Sequence, residues 1–425
     1  MKQSHLFTKT RREAPKDEVS KNAQLLIRGG FIHKEMAGVY SLLPLGVLVM
    51  NNIVAIIREE MNKIGGQEVF LTALQDKSVW EKTSRWSDKE VDIWFKTSLK
   101  NNTELGLGFT HEEPLTNLMR DHIRSFRDLP TYPYQIQTKF RNETRAKSGI
   151  MRGREFLMKD LYSFSKDVAE HEAFYEKVKS AYKNIFARVG LGDKTYLTYA
   201  SGGSFSKYSH EFQTITSAGE DTIHVCEKCH VAVNDEIFAE VKKCPQCTAT
   251  ELHIEKAVEV GNIFSLGTRF SDALELTYLD QAGNKQAVVM GSYGIGPGRL
   301  LGTIVETLSD ENGIVWPEEV APFDIHLVSL DNGKVPVKET AERFYADLTA
   351  NGASVLLDDR DARAGEKFTD SDLLGIPLRI VVSEKTMNEG VVELKNRKTG
   401  EVRKVPHHQV VDVSLSTGED SEDTA

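Results

Sequence analysis

Between Tyr134 and Phe164 the sequence alternates with a period of two on both sides of a basic loop, and this stretch restricts the fold more than any other. Gln135, Gln137, Lys139 and Arg141 interleave with Tyr134, Ile136, Thr138 and Phe140; beyond the loop, Phe156, Met158, Asp160, Tyr162 and Phe164 interleave with Leu157, Lys159, Leu161 and Ser163. That is the pattern of two half-buried strands joined as a hairpin, with Arg141 on the polar face of the first. The loop, Asn142 to Glu155, carries Arg145, Lys147, Arg152 and Arg154. From Lys139 to Lys159, seven cations stand against Glu143 and Glu155, a local charge of +5 in a chain of net charge −10. Cations gathered against the global sign call for an anionic partner, the alternative being a solvated charged hairpin.

With 425 residues, 40% of them hydrophobic, the chain can bury a full core and has room for two or three domains. An acidic pI near 5.7 argues against bulk coating of nucleic acid but allows local contact with phosphates. Met1 to Val19 is charged and lacks an apolar core, and no run approaches the ~18 apolar residues that span a bilayer. A cytoplasmic protein with no membrane partner is the expectation.

Residues 20 to 45 read as a helix broken by glycines. Met50, Val54, Ile57, Met61 and Ile64 then recur as one apolar stripe of a long helix stopped by Gly65 and Gly66, with a short strand at Glu68 to Leu71. In Thr110-His111-Glu112-Glu113-Pro114, the proline reads as a first helical residue and the two acids as complements to the helix dipole. A helix follows at Val168 to Val189, then a glycine-serine region ending in His210-Glu211-Phe212. All four cysteines lie between Cys226 and Cys247, as two C-x2-C knuckles (Cys226 and Cys229, Cys244 and Cys247). This spacing suits a closed tetrahedral zinc site that would staple a compact insertion from 215 to 257; four reduced cysteines are the alternative. The strand Ala287 to Tyr293 enters Gly294-Ile295-Gly296-Pro297-Gly298-Arg299 and the helix Leu300 to Leu308. Arg299 stands where a dinucleotide fingerprint needs glycine, and a cation at a helix N-terminus asks for an anion to offset it. Beyond the linker Trp316 to Pro322, alternating strands and helices imply a mostly parallel α/β domain over 322 to 412, with an acidic, disordered tail from 413.

Together these motifs resemble a class II aminoacyl-tRNA synthetase, specifically a bacterial-type prolyl-tRNA synthetase. Leu43 to Leu74 is similar to motif 1, the dimer element; Phe140-Arg141-Asn142-Glu143 with Phe156 and Asp160 to motif 2; Gly294 to Arg299 to motif 3. Thr110-His111-Glu112 resembles the T-x-E loop of this subgroup, and Asp358-Asp359-Arg360 with Gly375-Ile376-Pro377-Leu378 its anticodon-binding domain. The resemblance implies an α+β catalytic domain with an antiparallel sheet and flanking helices (1–214 and 258–318), the cysteine unit as a zinc-ribbon-like insertion, and an α/β anticodon-binding domain. It implies proline–tRNA ligation through prolyl-adenylate, with ATP and Mg2+, L-proline, tRNA(Pro) and a second copy of the chain as cofactors and partners. By the same resemblance Arg141 and Arg299 are catalytic, Arg141 bridging the proline carboxylate and the α-phosphate. Arg152 and Arg299 hold the outer phosphates, Phe156 and Arg299 sandwich the adenine, Glu143 accepts from its edge, and Gly296 lies beside the nucleotide. Thr110 and Glu112 take the proline ammonium; His210, Gly291 and Ser292 shape its pocket.

Three departures from the family pattern stand out. Thr72 follows the motif 1 strand where a proline is usual. Phe205 to Tyr208 separates Gly202-Gly203-Ser204 from Ser209-His210. Only the small cysteine unit occupies the place where bacterial-type members often carry a large editing domain, so alanine mischarging would need a separate deacylase. The rival readings are a synthetase for another small amino acid and an inactive paralogue that binds tRNA. A class I enzyme is excluded by the absence of H-x-G-H and of a lysine pair around Phe205-Ser206-Lys207.

Overall fold

The structure, a computed structural model, describes residues 1–144, 146, 148–202 and 208–416. Arg145, Lys147, Gly203, Ser204, the Phe205-Ser206-Lys207 stretch and the tail beyond Ser416 lie outside the described residues. The chain forms two compact units, one of residues 35–40 and 53–303, the other of residues 1–34, 41–52 and 304 onward. Helix α1 (Pro44–Lys63) buries Met50, Val54, Ile57 and Met61, so the apolar stripe is correctly read; Ile64 falls just past the helix end.

The first unit is built on one sheet of nine strands. In chain order these are β1 (Gln67–Glu68), β2 (Pro133–Phe140), β3 (Glu155–Ser165), β4 (Thr195–Ser201), β5 (Tyr208–Ile215), β6 (Asp221–Cys226), β7 (Val231–Asn234), β8 (His253–Gly267) and β9 (Val289–Ile295). They lie in the order β5-β4-β7-β6-β8-β9-β3-β2-β1, with β5 also paired to β8. The expected hairpin is β2 and β3, in register from Tyr134 opposite Leu161 to Phe140 opposite Glu155. Because β5 bonds both β4 and β8, the strands β5-β4-β7-β6-β8 close on themselves. The cysteine segment is woven into that ring: β6 and β7 complete it, and β8 runs unbroken across residue 257. Closure removes the edge that a five-strand sheet would expose.

Helix α2 (Glu112–Met119) begins two residues before Pro114, which the first turn tolerates because its amide would have no intrahelical partner anyway. Helix α3 (Val168–Arg188) covers one face of the sheet, where Tyr182 and Phe186 lie so close to Gly261 that a Cβ there would meet both rings at 3.2 Å. Helix α4 (Pro297–Leu308) starts three residues earlier than the periodicity suggests, with proline at its first position. The strand predicted at Glu68 to Leu71 shrinks to β1, parallel to β2.

In the second unit β10 (Ile325–Leu330), β11 (Val355–Asp358), β12 (Leu378–Ser383), β13 (Val391–Asn396) and β14 (Val402–Pro406) form a sheet in the order β11-β10-β12-β13-β14. β11, β10 and β12 are parallel and the last two antiparallel, and α5 (Val335–Ala350) and α6 (Ala364–Leu374) connect the parallel strands. Residues 413–416, read as part of a disordered tail, belong to α7 (Val410–Ser416), because Val410 is needed in the core. The N-terminal stretch, assigned from sequence to the catalytic domain, packs on this sheet instead. Lys2 bridges Leu357 on the β11 edge, Lys2 Nζ pairs with Glu342, and Ser4 bonds Asp359. Among the described residues no helix is long and apolar enough to cross a membrane.

His326 on β10 is fully buried between Ser371 Oγ and Gln3 Oε1, each 3.0 Å away, and burial lowers its pKa to about 4. Between that value and the unfolded 6.5 the unfolded chain binds the extra proton, so this stabilisation is complete above pH 6.5 and lost as pH falls through 4. The urea midpoint should fall across that window by the equivalent of up to about 3 kcal/mol, less in His326→Gln. Equal slopes in the two proteins would refute the assignment.

Candidate active site

The face of the sheet opposite α3 carries the site. There Gln135 lies opposite Asp160, Gln137 opposite Met158 and Lys139 opposite Phe156, and the rows continue through Tyr162 and Ser292. The polar side of β2 is thus not a solvent face: Gln135, Gln137 and Lys139 are all buried. Two of the hairpin cations, Lys139 and Lys159, are fully buried and paired inside the protein. Lys139 sits 2.8 Å from both Asp160 Oδ1 and His111 Nδ1, and Lys159, on the α3 face, donates to Tyr182 Oη and the Tyr293 carbonyl. A buried ammonium persists only with such partners. Burial and Lys139 together drop the His111 pKa to about 4, so the ring is neutral, donating from Nε2 to the Thr72 carbonyl and accepting from Lys139.

Arg141, Glu143, Arg152, Phe156, Gly296 and Arg299 line one open cleft. Arg141 lies with its guanidinium carbon 5.2 Å from the Phe156 ring centre. Its pKa is held below the ordinary arginine value first by burial, then by the Arg299 cation. Two like charges forced together in a partly desolvated cleft repel, and an anion between them relieves the repulsion. Arg299 is aimed by hydrogen bonds to the Met151 carbonyl (3.0 Å) and the Glu259 carbonyl (2.8 Å), and by an ion pair to Glu259 at 3.2 Å. Arg152, half exposed, bridges Glu143 at 2.9 Å and Glu220 at 2.8 Å. Exposed pairs of this kind hold only weakly, so Arg152 can be redirected at small cost.

Thr110 Oγ1 donates to the Glu112 carboxylate at 2.7 Å, and Ser292 Oγ reaches Glu112 Oε1 at 3.3 Å. Glu112 and Glu113, which read from sequence as helix N-terminal acids, are buried, with Arg85 across from both.

The expectation that His210 and Gly291 shape the same pocket as Ser292 is corrected. His210 lies opposite Ile263, which lies opposite Tyr293, on the α3 face; its Nδ1 is 2.9 Å from Tyr175 Oη, and burial lowers its pKa to about 4. A bulge between Phe212 and Gln213 does not alter the side on which His210 emerges. At Gly291 a Cβ would meet Tyr293 Oη at 2.3 Å and Ser163 Oγ at 2.8 Å. Packing under α3 is therefore what demands glycine there.

Sequence reasoning passed over an acidic wall beside Arg299. The Gln213 amide donates to Glu211 and to Asp221, 2.9 Å each, and Gln213 lies opposite Glu259. Burial and then Glu259 push the Glu211 pKa up to about 8, and Asp221 is raised mainly by burial. Acids crowded in this way suit a hard divalent cation. At the far end of β6 the sulfurs of Cys226, Cys229, Cys244 and Cys247 lie within 4.8 Å of one another, with Cys226 and Cys247 3.6 Å apart. Sulfurs about 2.3 Å from a tetrahedral zinc stand about 3.8 Å apart, so the cluster is compatible with that ion.

Residues 95–308 match the family described as tRNA synthetase class II core domain (G, H, P, S and T), and residues 324–416 match an anticodon-binding domain. The proline–tRNA ligase of Caulobacter vibrioides is 39% identical over 439 residues, covering 97% of this chain and 98% of the relative. That of Geobacillus kaustophilus is 33% identical over 564 aligned positions, covering 97% and 99%. At 425 residues this chain therefore lacks a large insertion. Giardia lamblia prolyl-tRNA synthetase, solved in complex with prolyl-adenylate, shares the fold at a TM-score of 0.76 and 19% identity, over 92% of this chain and 75% of the other. On the strength of its core, its C-terminal domain and these full-length relatives, the chain belongs to the proline–tRNA ligases, a family of class II aminoacyl-tRNA synthetases.

Proposed function

We propose that the chain activates L-proline with ATP and transfers it to tRNA(Pro), and the observation that carries this reading is the pairing of Arg141 and Arg299 on one cleft. The proline carboxylate oxygen attacks the α-phosphorus, forming the acyl-phosphate bond and expelling pyrophosphate; a terminal ribose hydroxyl of the tRNA then attacks the acyl carbon and AMP leaves. Bringing two anions together is the main obstacle, and a fixed guanidinium between them lowers it by positioning and by charge. Arg141 takes that place, while Arg299 and the redirected Arg152 meet the outer phosphates. The adenine lies between Phe156 and Arg299, with Glu143 at its edge and Gly296 leaving room for the backbone's approach. The attacking carboxylate is already ionised, so no general base is needed. Thr110, Glu112 and Ser292 hold the amino acid end. Glu259 with Glu211 and Asp221 would hold Mg2+, which neutralises phosphate charge when bound. The C-terminal unit reads the anticodon, two copies assemble through the motif 1 elements despite Thr72, and a zinc ion ties the cysteine knuckles.

Pyrophosphate exchange measured with each of the twenty amino acids tests the reading. Proline should give the dominant signal; exchange with a different small amino acid, or with none, contradicts it.

The missing insertion supports a further expectation. Discriminating alanine from proline by methylenes alone yields about 1 to 3 kcal/mol for each, so some alanyl-tRNA(Pro) forms and a separate deacylase clears it. Preformed alanyl-tRNA(Pro) mixed with this enzyme alone should decay at the rate seen in buffer. Rapid hydrolysis would place an editing centre within the chain.

A further inference from the structure

Arg85 attracts no notice in the sequence, yet in the structure it lies in the wall of the amino-acid end. It follows the short helix Lys77–Glu81 and carries 11% side-chain exposure, with its guanidinium carbon 5.4 Å from the Trp80 ring centre, 5.3 Å from Phe109 and 5.5 Å from Phe270. One terminal nitrogen meets both oxygens of Glu113, at 2.9 and 3.0 Å, and reaches Glu112 Oε2 at a longer 3.3 Å. Glu113 is fully buried and also accepts from Thr83 Oγ1 at 2.8 Å. Glu112, by contrast, is met mainly by hydroxyls: Thr110 Oγ1 lies 2.8 and 2.7 Å from its two oxygens, and Ser292 Oγ reaches Oε1 at 3.3 Å.

The charge inventory of this pocket is short. Glu112, Glu113 and Asp160 supply three negative charges; Arg85 and Lys139 supply two positive ones, and Lys139 is committed to Asp160 at 2.8 Å. His111 is neutral, Tyr162 donates to Asp160, and Arg141, which also feels Glu112, is the cation assigned above to the proline carboxylate. With Arg141 set against that carboxylate, one negative charge is left over, and the longer of the two Arg85 contacts places it on Glu112. We propose that Arg85 is a positioning residue of the amino-acid subsite: by pairing with Glu113 it leaves Glu112 as the one carboxylate short of a cation, so that the subsite takes up a single ammonium group. This deepens the reading given under Proposed function and rests on it. A cation held closer to Glu113 than to Glu112 also opposes the sharing of one proton between two adjacent buried acids. Glu113 already titrates at about 7, raised by burial and by Glu112 and held down by Arg85.

The experiment is proline-dependent pyrophosphate exchange, with separate KM values for proline and ATP, in Glu113→Gln, Arg85→Gln and the double variant. In Glu113→Gln the freed guanidinium turns wholly to Glu112 and cancels the leftover charge, so the proline KM rises about tenfold or more while the ATP KM stays. In Arg85→Gln the two acids hold a shared proton to higher pH, so the fall of the proline KM with rising pH is displaced above the value of about 7 at which Glu113 titrates in the unaltered enzyme. The double variant restores one negative charge and returns the proline KM most of the way. An unchanged proline KM in Glu113→Gln, or a double variant no better than Arg85→Gln, would show that Arg85 only packs against its aromatic neighbours. Should the unaltered enzyme exchange no proline at all, the reading of the whole site fails and this proposal with it; normal exchange with flat variant kinetics removes only the role of Arg85.

Discussion

Replacing Arg141 by alanine lowers proline-dependent pyrophosphate exchange by about three orders of magnitude, the loss typical of a donor aimed at charge that develops in the transition state. The reasoning is geometric. Arg141 is carried at the exit of β2, against Phe156 and within the field of Arg299, so it meets an anion at the centre of the cleft. Arg141→Lys should recover little, since a point charge cannot span two oxyanions as a planar fork does. Stability should move the other way. Removing one of two mutually repelling, half-buried cations leaves Tm unchanged or raises it, the trade expected of a site held in readiness for its ligand. A purified Arg141→Ala protein that keeps full exchange would remove the residue from the chemistry, and one that fails to fold would contradict the repulsion argument.

The second large effect concerns the cysteines. The purified protein should carry one zinc per chain, and Cys226→Ser with Cys229→Ser should abolish it. Because β6 and β7 close the ring of strands that also carries Glu211, losing the knuckle costs more than a local loop. A loss of about 4 kcal/mol would lower Tm by roughly 10 °C. Amide exchange in β6 and β7 should accelerate ahead of that in β2 and β3. A variant with unchanged zinc content, or unchanged stability without zinc, would refute the structural role.

What could be read from the residues follows from how local each signal is. The β2–β3 hairpin, the α1 stripe and the glycine turn before α4 are periodic or short-range, and each was recovered within a few residues. Thr110, Glu112, Arg141 and Arg299 come from matched motifs; Arg141 and Arg299 line one cleft, and Thr110 bonds Glu112. His210 misled because alternation gives two faces without saying which one meets α3, and the row through Ile263 and Tyr293 is a long-range fact. Lys139 and Lys159 inflated the apparent charge of the hairpin for the same reason: both are cations in the count, but Asp160, Tyr182 and Tyr293 absorb them. Arg85 and Glu259 reach the site only through tertiary packing. No spacing rule connects Arg85 to Glu113, 28 positions away, or a strand-borne Glu259 to Arg299. The N-terminal bridge from Lys2 to Leu357 is invisible to any local pattern.

In the proposed reaction Arg141 and Arg299 grip the same nucleotide from two sides. Calorimetric titration with a non-hydrolysable sulfamoyl analogue of prolyl-adenylate, against the unaltered protein, Arg141→Ala and Arg299→Ala, tests it most directly. Each single substitution should weaken binding at least about tenfold, as the loss of a hydrogen-bonded charge contact requires. Undiminished affinity in either variant would mean that the two guanidiniums serve different ligands, and the account would fail.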